Sequence, residues 1–212
     1  ILHHQFVIKG KMIRPMLLHK LGTILNVPFD HLIAWTTACE MLHNATLIHD
    51  DIQDRDTHRR GQLSLWTQFG EPQAINAGDF LMLSALQPIL NSTIDAKTKN
   101  DLIMLYSKMS CKIVDGQSLE FELNNMSEPE LIYSRYMNCI SLKTAALFSD
   151  LSLGANLMTK NKLFANDEIH YLFSQIGILF QMHDDIIDLY GDKKRATKGC
   201  DIKEGKISFL VA

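Results

Sequence analysis

Apolar residues recur every three or four positions along most of the chain, and this spacing predicts a protein that is almost entirely helical. No stretch alternates apolar and polar residues for long enough to indicate a sheet. The breaks between periodic segments fall at polar or proline-containing turns. The predicted helices cover residues 15–25, 31–52, 73–90, 95–122, 129–158 and 167–189.

Turn chemistry supports several of these helix boundaries. Pro15 can occupy the first turn of a helix, and Asp30, which follows Pro28, is the expected N-cap of the next helix. Ser127 precedes Glu130 by three positions, which is the spacing of a capping box. A charged segment, 193–205, is predicted to be a loop.

The length and composition are those of one globular domain with a large core. The chain has 212 residues, of which 46% are hydrophobic, and it carries no domain linker. Residues 1–212 are therefore predicted to form one all-α domain, a helical bundle. Because the chain begins at Ile1 without an initiator methionine and stops within an apolar run, we expect it to be incomplete at both termini.

The charge and cysteine patterns exclude some classes of function. A formal net charge of -3 without a basic stripe argues against a nucleic-acid-binding protein. No apolar stretch reaches the roughly 18 residues of a membrane span, and the N-terminus lacks the organisation of a signal peptide. The 4 cysteines are scattered and are expected to be reduced thiols. We therefore expect a cytoplasmic protein, with an organelle form that has lost a transit peptide left open.

Two copies of an Asp-Asp-x-x-Asp pattern are the main candidates for chemistry. The copies are Asp50, Asp51 and Asp54, and Asp184, Asp185 and Asp188. On a helix, the first and last aspartates of each copy share a face. Carboxylate oxygens suit Mg²⁺, which usually bridges protein to phosphate. A lone acidic quintet is more often a solvated helix face, but two copies that each follow an apolar helical run favour metal sites for a polyanion.

Cationic residues near these motifs indicate a second anion. Lys11 and Arg14 lie three positions apart on one predicted helix face, and Arg59 and Arg60 follow the first motif. Arginine binds phosphate oxygens as a fork, whereas lysine acts as a point charge. Each of these residues alone is more often a solvated surface charge. Together with the aspartates, they indicate two diphosphates, one bound through metals and one through basic side chains.

From Gly10 to about Phe209 the chain resembles the trans-isoprenyl diphosphate synthases of the polyprenyl synthetase family. The motifs that carry the resemblance are Gly10-Lys11-x-x-Arg14-Pro15, the first aspartate motif with Arg59-Arg60-Gly61, Gly116-Gln117, Lys143-Thr144, Gly177 and Phe180-Gln181 before the second motif, and Glu204-Gly205-Lys206. The resemblance implies the class I isoprenoid synthase fold, with long antiparallel helices around a central cavity, and a homodimer. It also implies the head-to-tail condensation of isopentenyl diphosphate with an allylic diphosphate.

The resemblance also implies roles for individual residues. The principal ligands of about three Mg²⁺ ions would be Asp50, Asp54 and Asp184. Helping ligands, directly or through water, would be Asp51, Asp185 and Asp188. The allylic diphosphate would be bound by Lys143, Lys198, Lys206 and Arg59. Isopentenyl diphosphate would be bound by Lys11, Arg14, His43 and Arg60. The Thr144 hydroxyl and the Gln181 side-chain oxygen would face the carbocation, and the released diphosphate would take the final proton.

The loop after the second motif departs from the family pattern. A Gly-Lys pair is expected there, but Thr197 stands in the place of the glycine, and the lysine is Lys198. The loop is at least one residue short. The contact of Lys198 with diphosphate is therefore expected to be shifted or weakened.

Residues just before the first motif bear on product length. In the family, bulky aromatic residues four and five places before the first aspartate accompany short products, and here Thr46 and Ala45 occupy these places. Neither would close a tunnel, so we expect a product of C20 or longer, with a farnesyl diphosphate synthase-like short product as the alternative. Met41 and Leu42 lie a turn deeper and could set the next limit. An Ala45→Phe substitution is expected to shorten the product.

Several of these residues also have other interpretations. His43 on an apolar helix is by default a core histidine, and His49 and His183 do not form a zinc motif such as HExxH. A terpene cyclase would lack the second diphosphate site that Lys11 and Arg14 indicate. A non-catalytic subunit of a heteromeric prenyl synthase would have degraded aspartate motifs, whereas both motifs are intact here.

Overall fold

The computed structural model describes residues 1–8, 10–123, 125–126, 128–160, 162–190 and 206–212. The chain forms two compact units. The first unit comprises Ile1–Ile103 and Leu157–Asn161, and the second comprises Met104–Asn156 and Lys162–Ala212. The single-domain organisation stays a prediction.

The first unit is built around one long helix, α3, and the helices that pack on it. Its elements are α1 (Leu2–Val7), α2 (Ile13–Ile24), α3 (Phe29–Gln53), β1 (His58–Arg59), β2 (Gln62–Leu63), α4 (Leu65–Phe69), α5 (Glu71–Ser84) and α6 (Gln87–Leu90). Trp35 and Leu42 on α3 are fully buried, as are Leu18 on α2 and Ile89 on α6. The helix α7 (Ala96–Leu123) begins within this unit and continues into the second.

The second unit consists of long helices around a buried apolar core. After α7 its elements are α8 (Pro129–Ile140), a π-helical segment (Ser141–Ala145), α9 (Ala146–Met158) and α10 (Asn166–Tyr190). Phe148 and Leu151 on α9 are almost completely buried, as is Met109 on α7. The predicted all-α fold is confirmed, because helices account for nearly all regular structure in the described ranges.

Several predicted boundaries were wrong, each for a local reason. Asp30 does not cap α3; the helix begins at Phe29, and Asp30 accepts a hydrogen bond from Thr93 Oγ1 at 2.6 Å instead. The predicted helix 73–90 breaks after Ser84, because Pro88 in the first turn of α6 has no N–H to donate to the preceding turn. The predicted helix 129–158 contains the π-helical segment. Ser127 lies outside the described residues.

A β-hairpin follows the first aspartate motif, where only a polar loop was predicted. His58 pairs with Leu63 and Arg59 with Gln62, so Arg60 and Gly61 form a two-residue loop. Both loop residues have positive φ, 54° for Arg60 and 80° for Gly61, as a type I′ turn requires. Gly61 adopts this conformation at little cost, whereas Arg60 is held in the left-handed region.

The helices of the described ranges do not include a membrane-spanning candidate, because none is both long and apolar enough to cross a bilayer.

Candidate functional site

The first aspartate motif lies at the C-terminal end of α3. Asp50 and Asp51 belong to the last turn, and Asp54 follows the helix with its backbone N–H donating to Asp50 O at 2.8 Å. Asp50 and Asp54 are both partly exposed. Since they lie four positions apart at a helix end, their carboxylates can reach a shared cation.

Asp51 has a different environment, because its side chain is buried against Arg59. Arg59 Nε donates to Asp51 Oδ1 at 2.5 Å, while Oδ2 is buried with no hydrogen-bond partner among the described residues. Burial raises the pKa of Asp51 to about 6, and the Arg59 charge opposes this shift. Asp51 therefore orients Arg59 on β1, and its carboxylate points into the protein.

A basic cluster forms beside α3, one to two turns before the aspartates. Arg14 Nη1 donates to His43 Nε2 at 3.1 Å. A Cβ atom at Gly10 would lie 2.8 Å from Arg60 Nη2, so the Gly10 backbone packs directly on that guanidinium. Burial raises the pKa of Glu40, and the charges of Arg14 and Arg60 oppose the rise. The structure thus brings together Arg14, His43 and Arg60, three of the four residues predicted to hold isopentenyl diphosphate; Lys11 is exposed.

His43 is held as a neutral ring of defined tautomer. Burial lowers its pKa well below the ordinary value, and the charges of Arg14, Arg60 and Arg59 lower it further. Because a guanidinium can only donate, His43 Nε2 must be the acceptor, and the proton of the neutral ring lies on Nδ1. Nδ1 is buried and has no partner within the described part of the chain.

We expect His43 to make folding stability depend on pH. Its pKa is lower in the folded protein than its ordinary 6.5, so the unfolded chain binds more protons and stability is lost as pH falls below that value. A His43→Gln variant keeps an acceptor for Arg14 and cannot titrate. Between pH 7.5 and 5.5, urea unfolding should show a smaller loss of stability for the variant than for the wild type. The exposed His3→Gln variant is the control and should keep the wild-type slope; an unchanged slope in His43→Gln contradicts the account.

The hairpin and α1 line a pocket next to this basic cluster. The pocket is a shallow, open depression, and its lining residues are His4, Gln5, Ile8, Arg59, Arg60, Gln62, Leu63 and Ser64. Arg60 Nη1 donates to Ile8 O at 3.2 Å, and His4 Nε2 donates to Leu63 O at 2.8 Å, which fixes α1 against the hairpin. Two adjacent guanidinium groups in one pocket suit an anion.

The second aspartate motif lies near the end of α10, and its three members differ in exposure. Asp184 is partly exposed, whereas Asp185 and Asp188 are buried. Asp185 accepts three hydrogen bonds: Oδ2 from Tyr136 Oη at 2.7 Å and from the Phe209 N–H at 2.8 Å, and Oδ1 from Gln181 Nε2 at 2.7 Å. The second motif is therefore tied to α8 and to the C-terminal segment through Asp185.

Gln181 and Thr144, the predicted cation-facing pair, are brought into direct contact. Thr144 Oγ1 donates to Gln181 Oε1 at 2.7 Å. The π-helical segment also carries Lys143, whose Nζ donates to Glu120 Oε2 at 2.5 Å. Lys206 is partly exposed, and Lys198 lies outside the described residues.

Two glycines fix the π-helical segment that carries Lys143 and Thr144. A Cβ atom at Gly116 would lie 2.5 Å from Lys143 N, and one at Gly177 would lie 2.5 Å from Ala145 Cα. The backbones of α7 and α10 therefore pack directly against this segment and leave no room for a side chain at either glycine. A π-helical turn inside a helix is frequent at functional sites.

Glu120 and Tyr136 contact predicted site residues but were not themselves predicted from the sequence. Glu120 lies four positions after Gly116, hence on the same helix face, and that spacing could have indicated it. Tyr136 gives no local signal, because its role depends on contact with Asp185. Cys139 lies nearby, and burial raises the pKa of its thiol to about 12, so it is no nucleophile at neutral pH.

The fold and these residues define a class of protein: a predominantly helical chain with aspartate motifs at helix ends and a cluster of arginine side chains beside one of them. The polyprenyl synthetase family model matches residues 1–212, and the chain belongs to this family. The short chain isoprenyl diphosphate synthase of Methanocaldococcus jannaschii is 33% identical over 211 residues, which cover 98% of this chain and 63% of that protein.

Solved structures agree with this assignment. The geranylgeranyl pyrophosphate synthetase of Pyrococcus horikoshii Ot3 is 32% identical with a TM-score of 0.82, over 96% of this chain and 62% of that one. The polyprenyl synthase of Caulobacter crescentus CB15, solved in complex with calcium and isoprenyl diphosphate, is 26% identical with a TM-score of 0.85, over 99% of this chain and 62% of that one. The chain thus spans a little under two thirds of the length of these relatives.

Proposed function

We propose that this protein condenses isopentenyl diphosphate head to tail with an allylic diphosphate. The observation that carries the proposal is what α3 brings together. His43 on α3 contacts Arg14 in the basic cluster, and two partly exposed carboxylates, Asp50 and Asp54, lie two to three turns further on at the end of the same helix. A basic cluster suits a diphosphate that is retained, and a carboxylate pair suits one that is expelled as a metal complex.

The aspartates of the two motifs suit Mg²⁺ better than they suit a metal whose ligands all come from the protein. Within the described ranges, no group of three or more histidine, cysteine or acidic side chains is arranged to hold an ion. Mg²⁺ is usually bound through one or two carboxylates, with water and substrate phosphates completing its shell. Asp50, Asp54 and Asp184 are partly exposed and suit this role. We propose that Asp50 and Asp54 bind Mg²⁺ in the first unit and that Asp184 binds Mg²⁺ in the second, with about three ions in all. The Caulobacter relative was solved with calcium.

In the proposed reaction, the bond between C1 and oxygen of the allylic substrate breaks, and the diphosphate leaves with the bonding pair. Bound metal would neutralise the charge of the leaving group. Lys143 and Lys206 hold that diphosphate, and Glu120 orients the Lys143 ammonium group. The roles of Arg59 and Lys198 stay predictions from the sequence. The lone pairs of Thr144 Oγ1 and the Gln181 dipole stabilise the carbocation.

The second substrate then attacks the cation. The double bond of isopentenyl diphosphate forms the new bond to C1, and its C3 becomes cationic until a proton leaves C2. The released diphosphate takes this proton, so no side-chain base is needed. Lys11, Arg14, His43 and Arg60 hold the retained diphosphate, and the buried Nδ1–H of His43 adds a donor to the cluster.

The direct test incubates the purified protein with Mg²⁺, farnesyl diphosphate and labelled isopentenyl diphosphate. We expect label in products of C20 or longer, and none when Mg²⁺ is omitted. A wild-type protein that incorporates no label, with farnesyl, geranyl or dimethylallyl diphosphate as primer, contradicts the proposal.

Product length is proposed to depend on Thr46 more than on Ala45. Ala45 is fully buried in a cluster with Ile48, Ala74 and Leu81, so a phenylalanine there would overfill the core. Thr46 is partly buried, and its hydroxyl donates to the backbone oxygen of His43 at 2.8 Å. Met41 packs at the edge of the same cluster, and Leu42 is fully buried.

We expect a Thr46→Phe variant to make shorter products than the wild type, because the aromatic ring would occupy space one turn before Asp50. Mass spectrometry of the products made from farnesyl diphosphate and isopentenyl diphosphate checks this. The exposed Thr37→Phe variant on the same helix is the control and should keep the wild-type product. Identical product lengths in Thr46→Phe and the wild type would remove Thr46 from this role.

A homodimer is proposed as the working assembly. Apolar side chains on the outer face of α5 support it, since Phe80 is 59% exposed and Leu83 is 77% exposed. Sedimentation velocity should show a dimer that a Leu83→Lys variant weakens; a monomeric wild type contradicts the proposal. The cytoplasmic location stays a prediction from the cysteine pattern.

A further inference from the structure

A chain of hydrogen bonds leads from Tyr136 to Thr144 in the second unit. Tyr136 Oη donates to Asp185, Gln181 Nε2 donates to the other oxygen of Asp185, and Thr144 Oγ1 donates to Gln181 Oε1. All three distances are 2.7 Å. The proposed mechanism uses the last two side chains and assigns nothing to Tyr136.

The donor and acceptor of each bond are fixed by chemistry. An ionised carboxylate can only accept, so the amide of Gln181 must turn its NH₂ group toward Asp185. Its carbonyl oxygen then faces Thr144, whose hydroxyl must donate. A phenol carries its proton at neutral pH, so the Tyr136 hydroxyl facing this carboxylate is a donor.

This order of donors controls what Thr144 offers to a ligand. With its hydrogen committed to Gln181, Thr144 Oγ1 presents only lone pairs in its remaining directions. Lone pairs stabilise a developing positive charge, whereas an O–H group turned outward would oppose it. If the Gln181 amide were reversed, Thr144 would face an NH₂ group, and its own hydrogen would be released to point elsewhere.

We propose that Tyr136 and Asp185 are positioning residues that fix the polarity of the Gln181–Thr144 pair, and that Asp185 does this in place of binding metal. The three donors around Asp185 already occupy both of its oxygens, and the side chain is buried. Within the second motif, this leaves the partly exposed Asp184 as the proposed metal ligand. The inference rests on the proposed prenyl transfer.

The first experiment compares Tyr136→Phe with Tyr133→Phe, an exposed tyrosine on the same helix. Tyr136→Phe should lower kcat about tenfold to a hundredfold, while KM for both substrates stays within about twofold. Tyr133→Phe should match the wild type. A Tyr136→Phe enzyme with the wild-type kcat overturns the inference.

A double-mutant cycle separates positioning from a general structural role. If Tyr136 acts through Thr144, then Tyr136→Phe should change kcat by less than about twofold in a Thr144→Val background. A purely structural role would lower kcat by the same factor in both backgrounds, and that result overturns the inference.

The metal role of Asp185 is tested by the Mg²⁺ concentration at half-maximal rate. Asp185→Asn should lower kcat and leave this concentration within about twofold of the wild type, whereas Asp184→Asn should raise it about tenfold or more. A rise in Asp185→Asn as large as that in Asp184→Asn overturns the inference. Wild-type protein in the same assay distinguishes the two proposals. If the wild type does not turn over, both the proposed function and this inference are contradicted. If the wild type is active and the variants are unaffected, only this inference is contradicted.

Discussion

An Asp50→Asn variant should turn over about a thousandfold more slowly than the wild type at saturating Mg²⁺. The substitution keeps the size and position of the side chain at the end of α3 and removes one of the two charges that Asp50 and Asp54 place there. Departure of a diphosphate depends on neutralising its charge, so the loss of this proposed metal ligand should raise the reaction barrier directly. The measurement is kcat from label incorporation into the prenyl product.

The matched control for this prediction is Asp167→Asn. Asp167 is exposed in the first turn of α10 and belongs to neither aspartate motif. It should keep kcat within about twofold of the wild type. If Asp50→Asn is as active as this control, Asp50 is not a metal ligand in the reaction.

A Gly116→Ala variant should lose both stability and turnover. The added methyl group would lie 2.5 Å from Lys143 N, so the π-helical segment must move away from α7. Overpacking of this kind costs about 1–3 kcal/mol of folding free energy. Because Lys143 and Thr144 move with the segment, we expect kcat to fall by about a hundredfold even where the variant is fully folded. Urea unfolding and kcat at a temperature well below the transition measure the two effects.

Ser118→Ala on the exposed side of α7 is the control for the glycine variant. It adds no atoms, and its hydroxyl only donates to the backbone of Val114 at 3.2 Å. Both its stability and its kcat should stay close to wild type. A Gly116→Ala variant that is destabilised yet keeps full kcat would show that the position of the π-helical segment does not limit the reaction.

The long helices were predictable because their signal is local. Apolar residues at helical spacing lie within each segment, and the predicted range 167–189 differs from the observed α10, Asn166–Tyr190, by one residue at each end. The π-helical segment could not be predicted in this way. Its cause lies in Gly116 and Gly177, which come from two other helices and act only through close packing.

The residues of the candidate site differ in the same way: some could be predicted from local spacing, and others depend on contacts between distant residues. Residue types at motif spacing predicted Asp50, Asp54 and Arg14, and the resemblance to the family implied His43. The structure brings Arg14 and His43 into contact. The sequence does not distinguish Asp51 from its neighbours, because only burial against Arg59 turns that carboxylate inward. Such differences depend on contacts between distant residues, which spacing does not encode.

The most direct measurement of the proposed reaction is its stoichiometry. Wild-type protein with Mg²⁺ and an allylic diphosphate should release one diphosphate for each labelled isopentenyl unit that enters the product. Release of diphosphate without incorporation of label would contradict the proposed condensation, because it would indicate hydrolysis or cyclisation of the allylic substrate alone.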